Sequence, residues 1–168
     1  ANVGFQLNGG SQLRIANCSV WSANQGIAAY ASLAATNTVF PVIENNLLWE
    51  CAENAILLSG KATVRNNILS VAPGKYVYKL GRDDVLTADY NSIWLGNGGR
   101  VFRREALPVP IIYESVGAWA AASRQDLHSF DSDPLLVNPA ARDFHLKSKT
   151  VEGRFVSGTG SWTNDEVS

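Results

Sequence analysis

Four short stretches of the chain superpose position for position: Ile15-Ala-Asn-Cys-Ser-Val-Trp21, Ile43-Glu-Asn-Asn-Leu-Leu-Trp49, Val64-Arg-Asn-Asn-Ile-Leu-Ser70 and Ala88-Asp-Tyr-Asn-Ser-Ile-Trp94. Each opens on an apolar residue and places Cys18, Asn46, Asn67 or Asn91 three positions later. Two positions beyond that comes a second apolar residue, Val20, Leu48, Leu69 or Ile93. Side chains alternate along a strand, so the Asn or Cys shares one face with the apolar residue that follows it. Eight residues after each matched position stands Gly26, Asn54, Lys75 or Gly99, followed by a further run at 27–30, 55–58, 76–79 or 100–103.

A helix needs apolar residues at spacings of three and four over ten residues or more, whereas these runs are short and broken by Gly, Asn and Ser. The repeat length varies, with spacings of 28, 21 and 24 residues between matched positions. Strands recurring at that interval with no helix between them cannot be βαβ units, and stacking coil on coil is the economical solution. The pattern predicts an all-β fold, a parallel β-helix of about four coils. An inward Asn at one recurring turn has a physical reason, because its amide donates and accepts and can bond to the amide above and to turn backbone.

These coils resemble the right-handed parallel β-helix proteins of pectate-lyase-like architecture, whose Asn ladder commonly carries a Cys in place of one Asn, as Cys18 would be here. The resemblance continues in Trp119-Ala-Ala-Ala-Ser-Arg-Gln-Asp-Leu-His-Ser129, Asp133-Pro-Leu-Leu-Val-Asn-Pro139 and Asp143-Phe-His-Leu-Lys-Ser148, which look like the closing segment of bacterial secreted β-helix proteins. Gly153-Arg-Phe and Gly160-Ser-Trp-Thr-Asn-Asp-Glu-Val-Ser168 are similar to text that in those proteins runs on into a further tail. The expected division is 1–105 for the coils and 106–168 for a closing, capping segment. Ala-rich sequence around Trp119 predicts one short helix at 114–123, lying across the end of the stack. Residues 2–10 read as a strand and a Gly-Gly turn without an amphipathic cap. The expectation is the C-terminal portion of a longer protein, with the N-terminal part as a partner.

The resemblance implies a secreted or cell-surface bacterial protein acting on polysaccharide, as a glycoside hydrolase or a polysaccharide lyase. A non-catalytic glycan-binding or surface β-helix protein is the alternative, since a fold does not dictate a function. Trp21, Trp49 and Trp94 follow the inward apolar residue and should point outward in a row interrupted by Ser70. With Tyr30 they are candidates for stacking on the apolar faces of sugar rings. Asp83, Asp84 and Asp89 cluster after the third coil near Lys79 and Arg82, and paired carboxylates are the minimum for glycoside hydrolysis. A lyase needs cations to neutralise a uronate carboxylate and a base to remove the neighbouring proton. Lys79 and Arg103, at equivalent positions one coil apart, meet that geometry.

No cofactor is expected. Asp126, Asp131 and Asp133 could offer oxygen ligands to calcium, but no calcium-loop spacing accompanies them. His128 and His145 lie in the closing segment, where a hydrogen-bonded structural role is the expectation. Cys18 and Cys51 should stay unpaired, because Cys51 lies five residues beyond the ladder partner Asn46, an offset of roughly 16 Å along a strand.

Composition removes other classes. Hydrophobic residues make up 46% of the chain and charged residues 17%, which excludes a disordered segment. A net charge of −1 with scattered Lys and Arg leaves no basic stripe for a nucleic-acid backbone. No window approaches the roughly 18 consecutive apolar residues of a membrane span, so no membrane partner is expected.

Overall fold

The computed structural model describes residues 2–8, 13–30, 40–96 and 98–147, and the backbone of the strands Arg154–Val156 and Ser161–Thr163. The turn expected at Gly9 and Gly10 lies outside the described residues, as does most of the closing text from Gly153 to Ser168. The chain divides into two compact units, 1–132 and 133–168.

The first unit is a parallel β-solenoid of about four coils. Its longest sheet stacks Val3–Asn8, Gln25–Tyr30, Asn54–Ser59, Tyr76–Leu80 and Arg100–Arg104 in parallel, with Ile111–Tyr113 added antiparallel at the end. A second sheet stacks Arg14–Ala16, Val42–Glu44, Lys61–Arg65 and Val85–Asp89. The third stacks Ser19–Trp21, Leu47–Cys51, Ile68–Val71 and Ser92–Trp94. One circuit of the chain visits the three sheets in turn, and the four repeats of the sequence fall at the corner between the second and third.

The predicted Asn ladder is present at that corner. The backbone N–H groups of Cys18, Asn46 and Asn67 donate to the side-chain oxygens of Asn46, Asn67 and Asn91, each at 3.0 Å. The amides of Asn46 and Asn67 donate onward to the next Asn at 3.1 Å. They also donate to the carbonyls of Ile15 and Ile43 in the coil below, and Asn91 likewise to Val64, which satisfies these buried polar atoms. Cys18 completes the row by donating its thiol to the Ala16 carbonyl at 3.3 Å. Just before each ladder residue the chain turns through the left-handed region, at Asn17, Asn45, Asn66 and Tyr90, with φ of 55–58°. Asn tolerates that conformation better than most residues, which accounts for the first Asn of the Asn-Asn pairs. Cys18 and Cys51 are both free thiols, and burial pushes the Cys51 thiol up to about 12.

The long sheet departs from the expected register. Its rows are Gln25, Asn54, Tyr76, Arg100 and Ala28, Leu57, Lys79, Arg103, so Asn54 pairs with Tyr76 rather than with Lys75. The cause lies upstream, where Leu48 pairs with Leu69 but Cys51 pairs with Val71. Trp49 and Glu50 together oppose Ser70, a β-bulge that inserts one residue, with Glu50 at φ 49°. The turn of the next coil, around Gly74, is two residues longer and takes the offset from 20 after the bulge to 22. Two consecutive residues in each of the last three parallel strands of this sheet, Ala55-Ile56, Val77-Tyr78 and Val101-Phe102, belong to the core.

The predicted helix spans Val116–Ser123. Ser115 caps it, its hydroxyl accepting from the Ala118 N–H at 3.2 Å, and Arg124 ends it in a left-handed turn. Its buried residues, Val116 and Trp119, cover the last coil, with the Trp119 ring stacked on Phe102 at 4.0 Å between centroids and 15° between planes. In the second unit Leu136–Asn138 pairs antiparallel with Asp143–Leu146 around a 3₁₀ turn at Pro139–Ala141, and Arg154–Val156 pairs antiparallel with Ser161–Thr163.

Candidate functional site

The outer face of the long sheet carries three of the expected site residues, Tyr30, Lys79 and Arg103. Lys79 and Arg103 are register partners there, so their side chains leave adjacent coils about 4.8 Å apart. The Arg103 guanidinium donates to Glu105 at 3.0 and 3.3 Å, which holds the Glu105 carboxyl below the usual carboxylate range, with Lys79 adding to the effect. Arg103 also lies over the Tyr76 ring, 5.7 Å from its centroid. Arg100 stands over the same ring at 5.8 Å while donating to the Tyr76 hydroxyl at 3.1 Å and pairing with Glu114 at 3.4 Å. Tyr30, Lys79, Asp84 and Glu105 line one shallow depression of about 290 Å³.

Asp84 reaches this depression already committed. Its two carboxylate oxygens accept from the backbone N–H groups of Gly60 at 2.6 Å and Gly81 at 2.5 Å, tying the loops of neighbouring coils together. Asp83 beside it is exposed. Asp89 is not part of the cluster expected from the sequence, because the strand Val85–Asp89 separates it from Asp84 by more than 10 Å at roughly 3.3 Å per residue. Instead Asp89 accepts from the His128 ring and backbone N–H, both at 2.8 Å. Partial burial raises its pKa, but these bonds and one from the Tyr90 N–H outweigh that and leave it lowered. The His128 ring stacks on Tyr90 at 4.8 Å.

The three tryptophans lie on a different sheet from the charged residues. Trp21 and Trp49 are register partners, and Trp94 pairs with Ser70. Trp21 is 41% exposed but Trp49 only 6%, so the row does not form an even platform. Trp94 is half-buried, its indole lying so close over Gly96 that a Cβ there would meet the ring.

Asp126, considered above as a calcium ligand, is 1% exposed and fully engaged in hydrogen bonds. It accepts from the Asn91 side chain at 3.0 Å, the Trp119 indole at 2.9 Å and the Ser129 hydroxyl at 2.6 Å. Burial raises its pKa, and these bonds only partly offset the rise. Asp131 accepts from the Leu95 N–H at 3.2 Å, and Asp133, in the second unit, from the Leu135 N–H at 2.8 Å. Among the described residues no group of three or more His, Cys, Asp or Glu is placed to hold a metal ion. His145 bonds to Asp143 at 2.6 Å.

Tyr76, Arg100 and Glu105 were not singled out in the sequence. The signal for Arg100 was the text Arg100-Val-Phe-Arg103, in which two cations flank two core residues and which was read above only as one more run of the repeat. A scan of protein-family models, a search of curated proteins and a search of solved structures return no match to this chain.

Proposed function

We propose that this β-solenoid is an extracellular carbohydrate-active protein whose long-sheet outer face receives a uronate-bearing polysaccharide. The observation that carries this reading is the registered pair Lys79 and Arg103 beside Tyr76, which is flanked by Arg100 and Arg103. A polyuronate presents one carboxylate per sugar, and the last two coils present one cation each in this row, so two successive carboxylates can be matched. Arg offers a planar fork to a carboxylate and Tyr an apolar face to the ring.

Of the degradative chemistries, β-elimination suits this face better than hydrolysis. Hydrolysis needs two available carboxyl groups, and Asp84 has both oxygens bonded to backbone amides. In elimination a cation draws charge from the uronate carboxylate, a base takes the proton on the carbon beside it, and the β carbon–oxygen bond breaks to leave a double bond and a sugar hydroxyl. Arg103 is our candidate for the first part and Lys79, as a free amine, for the second. A non-catalytic glycan-binding role is the second reading. It is favoured by the Arg103–Glu105 pair, which engages the second cation within the protein.

Binding of the chain to polygalacturonate and to a neutral glucan, with unsaturated-product absorbance followed in parallel, tests both readings. Polyuronate binding lost in Lys79→Ala and Arg103→Ala supports the face, and product formation lost in Lys79→Ala supports elimination. Equal binding of neutral and acidic polymers removes the proposal.

A further inference from the structure

We propose that the closed end of the solenoid holds a binding pocket for a single uronic-acid unit, with Arg104 as its carboxylate-reading group. This rests on the acidic-glycan reading above and adds an end subsite to it. In the long sheet Arg104 continues the row Ala29, Leu58, Leu80, three residues of the core. An arginine in an inward row has no reason to be there for packing alone. Its Nη2 donates to the Asp84 carbonyl at 3.0 Å and its guanidinium lies 5.6 Å from the Phe102 ring centroid. Its Nε is buried and has no hydrogen-bond partner. A buried donor left unpaired is costly, and a guanidinium N–H is among the strongest donors available.

That side chain lines a cavity of about 500 Å³ between the last coil and the helix. The volume lies within the range of small-molecule sites, roughly 300–1,000 Å³. Arg82 and Asp83, from the loop after Tyr76–Leu80, line it together with Ile111 and Tyr113 of the antiparallel strand and Trp119 of the helix. A sugar acid has the three features this lining asks for. Its carboxylate suits the Arg104 guanidinium together with Arg82, its hydroxyls can donate to Asp83, and its apolar CH face suits Tyr113. Asp84 also lines the cavity but is buried, its carboxylate holding the Gly60 and Gly81 N–H groups. It also lines the shallow depression that contains Lys79, so the pocket and the outer face share one loop. The end unit of a chain lying on the sheet is the natural occupant.

The test uses glucuronate as the probe and glucose as its neutral match, titrated into the full chain by calorimetry, with polygalacturonate binding measured on the same samples. Wild type should bind glucuronate at least tenfold more tightly than glucose. Arg104→Lys and the exposed Arg82→Ala, each shown folded by an unchanged thermal midpoint, should each lose tenfold or more of that affinity. Asn8→Ala, on the strand at the opposite end of the long sheet, should retain it. If glucuronate fails to bind, or binds both Arg variants as well as wild type, the pocket proposal is overturned even where the polymer still binds the sheet. If glucuronate binds as expected and the polymer does not, the pocket stands and the outer-face reading falls.

Discussion

The side-chain amide of Asn91 donates to Asp126 at 3.0 Å, so the last rung of the Asn ladder ends on a carboxylate supplied 35 residues further along the chain. The same carboxylate receives the Trp119 indole N–H and the Ser129 hydroxyl, while Ser129 accepts from the Asn91 backbone N–H at 2.7 Å. Closing the stack and terminating its polar interior are therefore one structural event.

Asp126→Asn should destabilise the chain by about 1–3 kcal/mol, because an amide turns one acceptor into a donor that faces other donors. The effect should depend on pH in a defined sense. Burial raises the Asp126 pKa in the fold, so the native state holds the proton more strongly than the unfolded chain does. The resulting contribution is fully present below the unfolded carboxylate value, about 3.9, and is lost as pH rises through the folded value. Denaturation midpoints of wild type and variant should differ most in acid and converge as pH rises. A gap that widens with pH would contradict the assignment.

Asn67→Leu removes more than one bond. Asn67 accepts from the Asn46 backbone and side chain and donates to Asn91 and to the carbonyls of Ile43 and Arg65. Two donors and three acceptors lose a partner, each at about 1–3 kcal/mol where no water reaches it. Urea unfolding should show a far larger loss for Asn67→Leu than for Asn8→Leu on the exposed edge strand. Equal midpoints would show that the ladder contributes little.

The ladder was legible in the sequence because it obeys two rules at once, a strand alternation and a fixed corner. The helix around Trp119 was legible from composition. The register of the long sheet was not, since the bulge at Trp49-Glu50 depends on one residue looping out against Ser70, and nothing in the text marks it. Asp126 looked like one of several Asp residues in the closing segment, and only the folded stack reveals that it meets Asn91. The tryptophan row was read from alternation alone. Alternation places Trp49 on the outer side of its strand but does not say what packs there, and its burial separates it from Trp21. Lys79 and Arg103 were found correctly as partners because their coils share one spacing of 24 residues.

Glu44 joins three coils on the outer face of the second sheet, accepting from Arg14 at 2.5 Å and from Arg65 at 2.7 Å. The hydrogen bond from Arg65 and then that from Arg14 lower its pKa in the fold. A lowered carboxylate contributes stability above its unfolded value and loses it as pH falls through the folded one. Wild type should therefore exceed Glu44→Gln in thermal midpoint at neutral pH, and the difference should vanish in acid. Added salt should narrow it as well, since both arginines are half exposed or more. A difference that persists at low pH would assign the residue a packing role instead.

The left-handed turn before each ladder residue gives the last prediction. Asn66 is exposed, so its side chain is not chosen for the core, yet its φ of 55° lies in a region that costs an ordinary L-residue roughly 1–2 kcal/mol. Asn enters that region at lower cost and Gly at none, whereas a β-branched residue is the least tolerant. Asn66→Gly should leave stability within a few tenths of a kcal/mol of wild type, because freedom in the unfolded chain offsets relief in the folded one. Asn66→Val should lose about 1–2 kcal/mol. The same pair of substitutions at Asn45, with φ also 55° and also exposed, should give the same ordering. Tyr90 occupies the equivalent turn of the last coil at φ 58°, held by its stack on His128, so Tyr90→Asn should trade lost stacking against relieved strain and change stability little. Chemical denaturation of the five variants checks the series. A Val variant as stable as its Gly counterpart at either Asn position would show that the corner does not require the left-handed turn.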